Sequence, residues 1–119
     1  MNGNIDILDR CIGFSLDAID VFRALEKDGT GRIIGKQFIR SATSVGANIN
    51  EAQAAQSRAY FVHKMQISLK EAKETGYWIK LMEGAKLLPQ EKTRKVKKET
   101  EELTSIIAAI VIKTKKNGV

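Results

Sequence analysis

The sequence predicts an all-α fold: an antiparallel, up-down-up-down four-helix bundle. Apolar residues recur at spacings of three and four along four long segments, the signature of helices with one buried face. The breaks between these segments are short, which favours antiparallel neighbours. The chain has one proline and few clusters of β-branched residues. Its 119 residues suffice for one domain with a real core, so a single bundle over residues 1–119 is expected.

The first helix is expected over roughly residues 4–27. Ile5, Leu8, Ile12, Leu16, Ile19 and Phe22 form one face, and Asp9, Asp17, Asp20 and Arg23 lie largely outside it. The stretch "KDGTGR", two glycines flanking a threonine, ends that helix. The second is expected over about 33–55. Gly35 and Gly46 lower its intrinsic propensity, so packing must supply what propensity does not. The third runs from about 57 to 85, with Ser57 as N-cap. The boundary between these two, "EAQAAQSRAY", has neither glycine nor proline. A short turn is placed around Gln56 and Ser57, because an unbroken helix of about fifty residues would be unusually long. Pro89 opens the fourth helix, expected over about 89–115.

Apolar residues make up 43% of the chain and charged ones 29%, a globular balance. One cysteine, Cys11, forms no intrachain disulfide. The opening "MNGNIDILDR" has acidic residues where a signal peptide would be apolar. The longest apolar run, "SIIAAIVI" at 105–112, is far short of the ~20 residues that span a bilayer. A cytoplasmic protein that does not engage membranes is expected.

The net charge is +6, unevenly spread. Residues 1–28 hold three basic residues against six acidic ones, and no aspartate follows Asp28. The rest of the chain therefore carries nine positive charges in surplus. Such a field attracts polyanions, although charge of this size also serves solubility alone.

Chemistry is hard to find. The only histidine, His63, has no Asp or Cys neighbour in sequence, and reads as a surface or interface residue. Glu71 and Glu74 are three apart, but the Glu-x-x-His repeats of a bundle di-iron site are missing. Cys11 lies beside the apolar face of an acidic helix, where nothing lowers its pKa. No glycine-rich phosphate loop occurs; "DGTGR" is a turn. No catalytic residue, metal ligand or cofactor is assigned, and a non-enzymatic protein is expected.

Basic residues are the better lead. Residues 86–98 contain six cations and one acid, Glu91. Lys95, Lys97 and Lys98 each have a glutamate four residues later (Glu99, Glu101, Glu102) and are expected to be partly self-neutralised. The candidate nucleic-acid-binding set is Lys86, Lys92, Arg94, Lys95, Lys98, Lys113, Lys115 and Lys116. It spans both ends of helix four, so a stripe is expected rather than a spot. No aromatic residue interleaves these lysines, so binding driven by shape and charge is expected, with weak base stacking.

Helix three carries Tyr60, Phe61, Tyr77 and Trp78. Adjacent residues point about 100° apart, so one of Tyr77 and Trp78 is expected to face the core and the other outward. Apolar residues cover more than half of this helix. Either a subunit interface or a central position in the bundle accounts for that.

In "RSATSVGANINEA", residues 40–52, a stripe of Ser41, Ser44, Asn48 and Glu51 runs beside the apolar one. Folding helices two and three back about residue 56 sets Asn48 against Lys64, Ser44 against Ser68 and Ser41 against Glu71. Arg40 then comes within reach of Glu71 and Glu74, and Glu51 of Lys64. The polar seam Arg40, Ser41, Ser44, Asn48, Glu51, Lys64, Glu71 and Glu74 is read as structural, setting register more than stability.

"QFIRSATSVGANINEA" followed by "SRAYFVHKMQISLKEAKETGYWIKLM" resembles the signature of the 23S rRNA intervening-sequence proteins. The matching positions are Gln37, Arg40, Ser41, Ser44, Asn48, Glu51, Ala52, Ser57, Phe61, Lys64, Lys70, Glu71, Glu74, Tyr77 and Trp78. The resemblance is close over helices two and three, and rests on length and pattern elsewhere. It implies a left-handed antiparallel bundle that assembles as a ring-like homopentamer. A more distant branch comprises the accessory variability determinants of diversity-generating retroelements, for which the resemblance implies binding of nucleic acid and of a reverse transcriptase. Five copies would carry about thirty positive charges, and symmetry would multiply modest patches into useful affinity. The expected function is a homo-oligomeric bundle, pentamer favoured, binding structured RNA or another nucleic acid. The alternative is a scaffold that docks a partner protein, its charge incidental.

Overall fold

The computed structural model describes residues 6–117. It contains four helices: α1 (Ile7–Leu25), α2 (Gly29–Gln53), α3 (Arg58–Gly84) and α4 (Gln90–Asn117). No strand occurs among the described residues. Each helix packs on its neighbour in sequence, and α1 closes on α4 along the thinnest seam. The bundle measures 48 × 27 × 20 Å. Contacts rise in number along one helix as they fall along the next: Ser68 meets Val45 and Thr75 meets Ser41, and Arg10 meets Glu99 while Lys95 meets Asp17. Helices α2 and α3 therefore run in opposite directions, as do α1 and α4.

Side chains cap three of the four helix starts. The Asp6 carboxylate accepts from the Leu8 amide, Asp28 from Gly31 and the Ser57 hydroxyl from Tyr60. Each satisfies a donor that the first turn would otherwise leave unpaired. Pro89 precedes α4, and its carbonyl accepts from the Lys92 amide at 2.9 Å. The core is apolar and drawn from all four helices: Phe14 and Leu25, Phe38 and Ile49, Met65 and Ile79, Leu103 and Ile107 are all buried.

Helix α2 begins at Gly29, four residues before the expected start at Ile33. The stretch read as a pure breaker is the first turn of the helix, capped by Asp28. Gly31 is there for proximity: a Cβ at this position would lie 2.3 Å from the Leu25 carbonyl oxygen. Gly46 plays the same part farther along, where an added Cβ would lie 2.9 Å from the Cβ of Cys11. The same close approach buries Cys11, and desolvation pushes its thiol up to about 11. Helix α4 continues to Asn117, two residues past the expected end. The expected start of helix one at residue 4 lies outside the described residues.

Helix α3 ends at Ala85 in a Schellman arrangement. The Leu87 amide bonds the Met82 carbonyl and the Lys86 amide bonds that of Glu83. Lys86 occupies the left-handed position, with φ 55°, where glycine is usual.

Candidate nucleic-acid interface

The lysines and arginine expected to bind nucleic acid do not form one surface. Lys92 and Lys95 line the groove between α1 and α4 together with Asp17, Asp20 and Glu91. Lys95 Nζ lies 3.3 Å from Asp17 Oδ2. Asp17 of α1 thus partly neutralises Lys95. Lys86 sits in the α3–α4 turn, and Arg94 beside Glu83 and Lys97 at the same end of the bundle. Lys115 lies at the far end, where it shares an open groove with Arg58 and His63. Lys98, Lys113 and Lys116 are exposed, and among the described residues none makes an ion pair.

The i, i+4 pairs expected along α4 are not formed. Arg10 of α1 takes Glu99 and Glu102, and Lys97 reaches across to Glu83 of α3 at 3.3 Å. Interhelical partners win because α4 is flanked on both sides by helices with charges of the opposite sign. Sequence spacing along one helix could not show that.

A more concentrated basic surface is a groove of about 380 Å³ between α3 and α4. Its floor is Ala72, Gly76, Ile79 and Thr100, and its rim carries Lys73 and Lys80 of α3 and Lys97 and Glu101 of α4. The floor is small and apolar for a reason of hydrogen bonding. The Thr100 hydroxyl donates to its own helix at the Val96 carbonyl, 2.6 Å away, and its methyl lies toward Gly76. Lys73 and Lys80 face Glu101 here, while Lys97 is shared with Glu83 at 3.3 Å. Lys73 and Lys80 were not among the expected residues; their seven-residue spacing, which puts both on one helical face, was the available signal.

Tyr77 lies on that outer face, four residues after Lys73 and three before Lys80, and is 54% exposed. An aromatic residue therefore does interleave basic ones, on α3 rather than on the α4 stretch where it was sought. Trp78 turns inward, half-buried against the core, so the pair divides as its spacing predicts. The two rings meet edge to face, centroids 5.0 Å apart.

The polar seam is assembled between α2 and α3. Arg40 Nη1 lies 3.2 Å from Glu71 Oε1, and its Nη2 pairs with Glu74. Glu74 also accepts from the Trp78 indole N–H at 3.0 Å. That indole, and secondarily Arg40, hold the Glu74 carboxyl below the usual carboxylate range. Lys64 Nζ pairs with Glu51 at 2.5 Å, which raises the lysine's pKa. Ser44 and Ser68 do not bond each other. Ser68 donates to the Val45 carbonyl across the interface, while Ser44 and Asn48 donate to carbonyls of their own helix. Thr75, absent from the expected seam, completes its buried part: its hydroxyl lies within 2.9 Å of both Ser41 Oγ and the Glu71 carbonyl. Its single proton serves one of them at a time.

Among the described residues, no group of three or more His, Cys, Asp or Glu side chains is placed to hold a metal ion. None of the described helices is long and apolar enough to cross a membrane.

Compared with known families, residues 3–109 match the family model described as "23S rRNA-intervening sequence protein". The chain belongs to that family. Among solved structures, this intervening-sequence family member is similar to a protein of unknown function from the S23 ribosomal protein family of Bacteroides thetaiotaomicron VPI-5482. The two share 33% identity over 89% of this chain and 98% of that one, with a TM-score of 0.84. No curated protein matches the chain.

Proposed function

We propose that this chain is a non-enzymatic, homo-oligomeric bundle of left-handed twist that binds structured RNA, or another nucleic acid, through the basic face of α3 and α4. The observation that carries this reading is the groove rimmed by Lys73, Lys80 and Lys97, set apart from the acidic face of α1. A cluster of cations over a shallow apolar floor suits a phosphate backbone, and needs no reactive group. A ring, pentamer favoured, would repeat that face around a central axis and raise avidity without new contacts. Ile12 and Leu16, one turn apart on α1 and more than half exposed, support burial against another copy. The proposed setting is cytoplasmic.

Those same two residues also favour a second reading, a scaffold on which α1 docks a partner protein. Light scattering with and without a structured RNA, at low and raised salt, separates the two. A multimer that gains mass with RNA at low salt and releases it as salt rises supports the first reading. A multimer indifferent to RNA at low salt contradicts it and favours the second.

A further inference from the structure

We propose that Tyr77 is a stacking platform for an unpaired nucleotide, flanked by Lys70, Lys73 and Lys80 of α3, which hold the neighbouring phosphates. The ligand class is therefore single-stranded RNA, or the unpaired part of a folded one. This rests on the nucleic-acid reading above and sharpens it.

Three observations meet at this place. First, the ring is open to solvent: Tyr77 is 54% exposed, although large aromatic side chains tend to be covered. Second, helical geometry surrounds it with cations. Lys73 and Lys80 stand on either side, about 10 Å apart along the helix axis, and Lys70 lies seven residues away on the same face. All three are exposed, and among the described residues none makes an ion pair. Third, the ring is held before any ligand arrives. It meets Trp78 in a T-shaped contact, and the Trp78 N–H is fixed by Glu74, which is in turn held by Arg40. Little conformational freedom is left to lose on binding. The outer end of the polar seam thereby acts as the support of the platform, and Arg40 and Glu74 are positioning residues.

The ligand follows from the shape. A base stacks on an aromatic face only when its own face is free, and in a duplex both faces are covered. A tyrosine on the convex outside of a helix cannot reach bases inside a duplex. It can receive a base splayed from a single strand whose phosphates run along the lysines.

Fluorescence anisotropy with an unstructured oligoribonucleotide and the blunt duplex of the same sequence tests this. Light scattering of each variant and the emission of Trp78, the sole tryptophan, serve as companion readouts. The single strand should bind more tightly than the duplex and perturb Trp78 emission. Tyr77→Ala should weaken single-strand affinity about 5- to 100-fold without changing the salt dependence. Tyr77→Phe should restore affinity. Lys73→Gln should lower the slope of log affinity against log salt by about 0.7. Wild-type binding that Tyr77→Ala leaves unchanged, or a preference for duplex, would overturn the platform while leaving the nucleic-acid reading intact. A change of mass in solution on Tyr77→Ala would make the residue a contact between copies and also overturn it. Failure of the wild type to retain either RNA would sink both readings together.

Discussion

The Arg10 guanidinium meets the Glu99 carboxylate with two hydrogen bonds, Nε to Oε2 at 2.8 Å and Nη2 to Oε1 at 2.7 Å. Nη2 also donates to Glu102 at 2.8 Å. These bonds tie α1 to α4 where the bundle is thinnest, and they raise the pKa of Arg10. Planar bidentate geometry is stronger than a point-charge contact, while partial exposure screens it. Arg10→Ala is predicted to cost about 1 kcal/mol, seen as a fall of about 4 °C in melting temperature. Added salt should narrow the gap between wild type and variant.

Lys86 holds the left-handed position that ends α3, with φ 55°. A side chain there is strained, and glycine is not. Lys86→Gly is predicted to raise stability by about 1 kcal/mol in a urea titration, despite losing a cation from the set expected to bind nucleic acid. If that cation matters to binding, RNA affinity falls in the same variant in which stability rises.

Glu74 is held below the usual carboxylate range by the Trp78 indole first and Arg40 second. Because the folded chain binds this proton less readily than the unfolded chain, the contribution is present above the unfolded pKa. It is lost as pH falls through the folded one. Wild type should therefore exceed Glu74→Gln in melting temperature at neutral pH. That advantage should shrink as pH is lowered to about 4 and below, through and past the ordinary carboxylate range. A constant difference across that range would contradict the network.

Much of the fold was legible because helical periodicity and caps are local, but the buried face of helix one was misread: Ile12 and Leu16 are more than half exposed, and Cys11, Phe14, Ala18, Val21 and Leu25 are buried instead. Ser57 and the turn beside it follow from N-cap chemistry even without a glycine or proline. The start of α2 was misplaced because glycine was read only as a breaker. Gly31 is required by the Leu25 carbonyl beneath it, a neighbour that sequence does not display. The seam partners Arg40–Glu71, Arg40–Glu74 and Glu51–Lys64 were legible from simple antiparallel register. Thr75 was missed because its spacing belongs to the apolar stripe, where a threonine passes for a packing residue. The charges of α4 were paired wrongly, since an isolated helix offers only i, i+4 partners whereas a bundle offers Arg10 and Glu83. For the same reason the lysines of α3 went unnoticed: Lys73 and Lys80 gain meaning only once Lys97 of α4 lies across the groove from them.

The most direct test of the central claim is the salt dependence of RNA affinity, for wild type and for a variant with Lys73, Lys80 and Lys97 all changed to Gln. The account predicts a steep linear fall of log affinity with log salt for wild type. In the variant the slope should be shallower by about 2, the loss of three phosphate contacts on a single strand. Equal slopes for the two proteins, or a wild-type affinity that salt does not change, would contradict a charge-driven interface on α3 and α4.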